Sequence, residues 1–160
     1  LVSLRFTAPA AARSPARFEP RPGPSPKAVA SRPRPRDRST AYALLATSGA
    51  EHGGTPGLGW IGGEVRLIER TDPAVKVPHM GWNDVELSAH PALIEAGEAY
   101  FLHSYHFAPD EGRHIAAMTD HGGGLVAAVA RDNVVGVQFH PEKSQAYGLA
   151  LLARFLEWKP

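Results

Sequence analysis

Apolar and polar residues alternate from Gly63 to Glu69, with Val65 and Leu67 set against Glu64 and Arg66. That period of two predicts a strand with one buried face. His79 to Leu87 and Ala99 to Tyr105 predict two further strands. Gly124 to Ala130 and Val134 to Phe139 flank the short polar segment Arg131-Asp132-Asn133 and predict a hairpin. Thr55-Pro56-Gly57-Leu58-Gly59 is turn chemistry. Ser144 predicts the N-cap of a closing helix, in which Leu149, Leu152, Phe155 and Leu156 fall at spacings that build one apolar face. No internal repeat is visible.

The pattern begins at Leu44. Residues 1–43 are a different kind of polypeptide, in which Arg, Pro, Ala and Ser fill 30 positions. Eight prolines there forbid long helices and central strands. Apolar residues are too scattered to bury a face, which predicts disorder. The charge balance also changes at this boundary. Residues 1–43 carry nine Lys and Arg against two acids, whereas residues 44–160 carry eight against fourteen. Arg32-Pro33-Arg34-Pro35-Arg36 is an extended basic strip without interleaved aromatics, so a solvated tail is expected rather than a nucleic-acid partner.

The chain contains no cysteine, which excludes disulfides, thiolate metal sites and a thiol nucleophile of its own. His79, His103 and His106 lack the paired spacing of a helical metal site, and no metal is expected. No run of about 18 apolar residues is present, so no membrane partner is expected. No leader pattern is seen at the start, and a cytoplasmic location is the expectation.

The strongest chemical signal is Val135-Gly-Val-Gln-Phe-His-Pro-Glu-Lys-Ser144. An apolar run delivers His140, Pro141 stiffens the turn after it, and Glu142 comes two residues after the histidine. An imidazole base needs a group that fixes its tautomer and steadies its protonated form, and a carboxylate does this. In extended backbone, positions i and i+2 share a face, so His140 and Glu142 are expected to meet. Taken alone, the pair also reads as a strand-end histidine beside a surface acid.

Pro78-His79-Met80-Gly81-Trp82-Asn83, Tyr100-Phe101-Leu102-His103-Ser104-Tyr105 and Gln138-Phe139-His140-Pro141-Glu142-Lys143-Ser144 change that balance. Over roughly residues 44–160 the chain resembles the glutaminase subunit of imidazole glycerol phosphate synthase, a class I glutamine amidotransferase. The Phe-His-Pro-Glu segment is shared across class I, while Pro-His-Met-Gly-Trp-Asn is more specific to this subunit. The resemblance implies a flavodoxin-like three-layer α/β fold. It implies hydrolysis of glutamine to glutamate and ammonia through a Cys-His-Glu triad and a thioester, with no cofactor. It further implies that ammonia passes to a (β/α)8-barrel cyclase partner in histidine biosynthesis. By motif position His140 would be the base and Glu142 its orienter. Ser104 and Tyr105 would contact bound glutamine. Met80, Trp82, Asn83, Tyr100 and Lys143 would lie at the face docked on the cyclase.

The chain departs from that family before Leu44. The family's first strands and oxyanion loop are missing or replaced. Where a Gly-x-Cys-x-Gly elbow belongs, Ser39 stands at the cysteine position and Asp37 and Ala41 at the glycines. The glycines let the backbone turn sharply and expose the nucleophile, so Ser39 is not a credible substitute. The composition of residues 1–43 suggests a shifted reading frame in a GC-rich gene, and the initial Leu a fragment or unusual start. The chain as written is expected to be poorly soluble and inactive as a glutaminase. The competing functions are a non-catalytic cyclase-binding partner, another class I amidotransferase, and a nucleic-acid binder using the basic tail.

Overall fold

The computed structural model describes residues 3–5, 44–70, 72–88 and 93–159. The strands are β1 Ser3–Arg5, β2 Ser48–Gly49, β3 Thr55–Pro56, β4 Gly63–Leu67, β5 His79–Leu87, β6 Gly97–His103, β7 Tyr105–Pro109, β8 Ile115–Asp120, β9 Gly124–Arg131 and β10 Val134–Val137. A closing helix, α1, spans Gln145–Glu157. The expectation of disorder over residues 1–43 falls outside the described residues except at Ser3–Arg5, which pairs antiparallel with β10.

The fold is mixed α/β, with two sheets and a closing helix. One sheet has the order β1-β10-β9-β8-β5-β6 and the other β3-β2-β4-β7. Among the described pairs only β2 and β4 run parallel; the others are antiparallel. The hairpin turns at Asp132-Asn133, because Arg131 already pairs with Val134. Asp132 takes φ 50°, a left-handed conformation that Asp tolerates better than most residues.

Two apolar clusters hold the layers together. Val85, Ala99, Phe101, Val137, Phe139 and Leu151 join the large sheet to α1. Ile61, Val65, Phe107, Val126 and Val129 join it to the small sheet. Strand β9 serves both clusters, Ala127 and Ala128 in the first and Val126 and Val129 in the second, and its residues Leu125 to Val129 are all buried. This explains a continuous apolar run where a half-exposed strand would alternate.

Two sequence expectations need correction. The strand expected from Ala99 to Tyr105 is broken at Ser104, where the chain passes from β6 in one sheet to β7 in the other. The apolar face expected on α1 is also rotated. Leu149 and Leu156 are 69% and 80% exposed, while Gly148 and Leu151 are buried and Tyr147, Phe155 and Trp158 pack on the core. The physical reason lies at Gly148. A Cβ there would stand 1.8 Å from the Pro141 carbonyl oxygen, so only glycine lets the helix lie against the turn before it. That contact, invisible to a hydrophobicity count, fixes which side of α1 faces inward.

Candidate active site

His140 is placed by backbone hydrogen bonds more than by its own side chain. After β10 the Gln138 N–H donates to the Ala127 carbonyl at 2.8 Å, keeping the chain beside β9. Phe139 then turns inward, edge-on to Phe101 at 5.9 Å and Tyr147 at 5.5 Å. The next residue faces the other way, and the His140 N–H donates to the Tyr100 carbonyl of β6 at 2.8 Å. Pro141 opens a short 3-10 turn, Pro141–Lys143, for which its fixed φ suits it.

His140 Nδ1 lies 2.7 Å from Glu142 Oε1. The sequence pairing is present, but the backbone reason differs from expectation. The two side chains meet across the 3-10 turn rather than along extended backbone. Partial burial pushes the Glu142 carboxyl up, and the hydrogen bond and charge of His140 outweigh it, leaving the group below the usual carboxylate range. An ionised Glu142 can only accept, so His140 Nδ1–H donates and Nε2 carries the lone pair in the neutral ring. A general base needs that tautomer. Ser39, at the position of the missing nucleophile, lies outside the described residues.

Met80, Trp82 and Leu102 are exposed and Tyr100 is half-buried. Met80 pairs with Leu102, and Trp82 with Tyr100, across β5 and β6. Their side chains therefore share one face of the two strands. The Trp82 and Tyr100 rings meet edge-on at 6.1 Å, and Lys143 Nζ sits 5.8 Å from the Tyr100 ring centre. Four of the five residues expected at a docking face thus lie together by the His140 turn: Met80, Trp82 and Tyr100 form an apolar patch that Leu102, absent from the sequence reading, joins, and Lys143 borders it.

Asn83 is not part of that patch. It is an odd-numbered residue of β5, facing the other way, and its Nδ2 contacts His79 Nε2 at 3.0 Å and the Asp120 carbonyl at 2.7 Å. Ser104 and Tyr105 lie where the chain passes from β6 to β7. They lie four and five residues beyond Tyr100, roughly 13 Å or more along the strand path. The Ser104 carbonyl accepts from Ile68 N–H at 2.9 Å, and Tyr105 pairs with Leu67 at the start of β7.

Sequence reasoning missed a buried histidine chain behind the patch. His103 Nδ1 faces the Tyr105 carbonyl at 2.9 Å, so it must donate. Its Nε2 then accepts from His79 Nδ1–H at 3.0 Å. His79 Nε2 in turn accepts from Asn83. The two carbonyls at the ends, of Tyr105 and Asp120, fix every proton between them. Burial lowers the His79 pKa to about 4, helped by the stacked His121 ring at 4.0 Å. Burial also lowers His103 to about 3, against the opposing pull of the Tyr105 carbonyl. Both rings are neutral at neutral pH. The β5–β6 register, which sets His79 opposite His103, is the only signal that could have found them.

Ser144 stands where the sequence places it. It holds the N-cap position of α1, yet its side chain makes no capping bond. Among the described residues, no group of three or more His, Cys, Asp or Glu side chains is arranged to hold a metal ion, and no helix is long and apolar enough to cross a membrane. An open cleft of about 890 Å³ lies beside Met80, lined by Arg70, Lys76, Pro78, Asp120 and His121 among others, and does not reach His140.

Comparison with known proteins bears on the family of the chain. The chain is 58% identical over 119 residues to the imidazole glycerol phosphate synthase subunit HisH of Zymomonas mobilis, covering 73% of this chain and 55% of that protein. The proteins of the same name from Caulobacter vibrioides and Rhodospirillum rubrum are 53% and 52% identical, over 74% and 73% of this chain and 58% and 57% of their own lengths. The chain thus spans a little over half the length of these relatives. The family model for glutamine amidotransferase class-I matches residues 48–158. That match takes in the His140–Glu142 pair and the patch beside it, and the chain belongs to the class I glutamine amidotransferases.

Proposed function

We propose that this chain carries the base-and-orienter half of a glutaminase site, together with the face that docks it on the cyclase of imidazole glycerol phosphate synthase. The observation that carries the reading is the 2.7 Å contact between His140 Nδ1 and Glu142 Oε1 beside an exposed Met80-Trp82-Tyr100 patch. The substrate is glutamine. His140 Nε2 takes the proton of a thiol, whose sulfur attacks the side-chain carboxamide carbon. The imidazolium, steadied by Glu142, returns that proton to the departing ammonia, and water then hydrolyses the thioester to glutamate. The ammonia passes to a (β/α)8-barrel cyclase bound at the patch. Ser104 and Tyr105 contact the glutamine once the rest of the site is supplied.

The thiol is not encoded by this chain, which has no cysteine. Losing a triad nucleophile costs on the order of 10⁴–10⁶ in turnover, so the chain alone is inactive as a glutaminase while retaining the docking face. The test is to measure glutamate release and cyclase binding side by side. Binding without glutamate release is the expected result. Cyclase-stimulated glutamate release by the purified chain would overturn the claim of inactivity. Failure to bind would overturn the docking assignment.

A further inference from the structure

We propose that Ser144 is a positioning residue for His140, its buried hydroxyl clasping the His140 and Tyr100 backbones together and so setting where the imidazole meets Glu142. The inference rests on the reading of His140 and Glu142 as base and orienter.

Ser144 is 1% exposed. Its hydroxyl donates to the His140 carbonyl at 2.7 Å and accepts from the Tyr100 N–H at 2.9 Å. The Tyr100 carbonyl accepts from His140 N–H at 2.8 Å, which closes a ring of three hydrogen bonds between β6 and the turn. With the hydroxyl so used, α1 has no side-chain cap, although serine at that position is among the best caps available. The next residue, Gln145, takes φ 46°. A non-glycine residue adopts that left-handed conformation only where its surroundings hold it there. Water has no access to replace the hydroxyl. The orientation of the His140 carbonyl fixes the plane of the peptide leading into Pro141, and hence the direction from which Glu142 returns to Nδ1.

The test uses the full chain labelled with ¹⁵N-histidine and long-range ¹H–¹⁵N correlation, which reports the tautomer of each ring. The parent is expected to show His140 with its proton on Nδ1 and slow exchange of that proton with solvent. Ser144→Ala should lose most of the Nδ1–H signal while the amide spectrum stays dispersed, and Ser144→Thr, which restores a hydroxyl, should recover it. Ser144→Cys, close in size but a weak hydrogen-bonding partner, carries the test if the alanine variant does not fold and should lose the signal in part. A purely structural role for Ser144 would lower the melting temperature and leave the tautomer signature in place, and that result would overturn the proposal. Glu142→Ala is the control on the underlying reading. If it leaves the Nδ1–H signature intact, the base-and-orienter assignment itself is wrong. If it removes the signature and Ser144→Ala and Ser144→Cys do not, only the positioning role falls.

Discussion

Gly148→Ala sets two effects of opposite sign against each other. In an exposed helix the change stabilises by about 1 kcal/mol, because alanine loses less backbone entropy than glycine. Here the new Cβ would stand 1.8 Å from the Pro141 carbonyl oxygen, 2.6 Å from its carbon and 2.9 Å from its Cα. All three atoms are main chain, and Pro141 is buried, so no flexible side-chain end can give way. Helix α1 would have to retreat by about 1.5 Å to regain an ordinary contact. That would loosen Leu151, which is 1% exposed, and the edge-on Phe139–Tyr147 pair. Overpacking of this kind typically costs about 1–3 kcal/mol and occasionally more. The clash sits at the top of that range, so the expected net is a destabilisation of about 2 kcal/mol and a fall in Tm of roughly 5–10 °C. Urea unfolding followed by far-UV circular dichroism measures it. Ala153→Gly, at an exposed position of α1, calibrates the propensity term and should lose about 1 kcal/mol. A Gly148→Ala variant as stable as its parent would refute the close approach of α1 to the His140 turn.

The buried histidines predict a pH dependence with a definite sign. Between pH 6.5 and the native values of about 4 for His79 and about 3 for His103, the unfolded chain binds protons that the folded chain refuses. Stability is therefore full above about pH 6.5 and falls with acid, by about 1.4 kcal/mol per pH unit for each such ring. His103→Gln should reduce that slope by one proton's worth in unfolding measured from pH 6.5 to 4, and an unchanged slope would refute the assignment. At the patch, Trp82→Ala should change the chain's own stability by no more than about 0.5 kcal/mol yet weaken capture by the barrel cyclase at least about tenfold in a titration. Equal losses in both would make Trp82 a core residue. In the gene, another reading frame upstream of codon 44 should encode a Gly-x-Cys-x-Gly segment running into Leu44. Its absence in all frames would end the frameshift explanation.

The strand pattern was readable where one face is buried and the other wet. The His79–Leu87 strand matches the sequence expectation at both ends, because its inward Val85 is flanked by exposed polar residues. The break at Ser104 was not readable, since β-favouring residues continue on both sides and only the change of sheet interrupts them. On α1, counting apolar residues pointed to Leu149, while the contact surface was set by a glycine that a hydropathy pattern ignores. The His140–Glu142 pair was visible because both members lie in one short segment. Asn83 was drawn to the docking face by its neighbours in the motif, although strand alternation alone sends it to the opposite side from Trp82. The His79–His103 bond spans 24 residues and His121 is further still, so it depends on register, which a single sequence gives poorly.

The position of β6 ties the two halves of the site together. Among the described residues it is an edge strand of the large sheet, with β5 on one side only. An unpaired edge leaves alternate N–H and carbonyl groups open to any passing strand. At Tyr100 both groups are taken by the His140 turn, the N–H by Ser144 Oγ and the carbonyl by His140 N–H. Because those groups point away from β5, Trp82 and Tyr100 face each other as a pair without ladder hydrogen bonds, the kind whose side chains come closest. This places their rings in edge-on contact on the outer face. The same residue thus presents its ring to whatever docks at the patch and its backbone to the turn that carries the imidazole. Displacing the Trp82–Tyr100 pair would therefore move the strand to which the His140 turn is hydrogen-bonded.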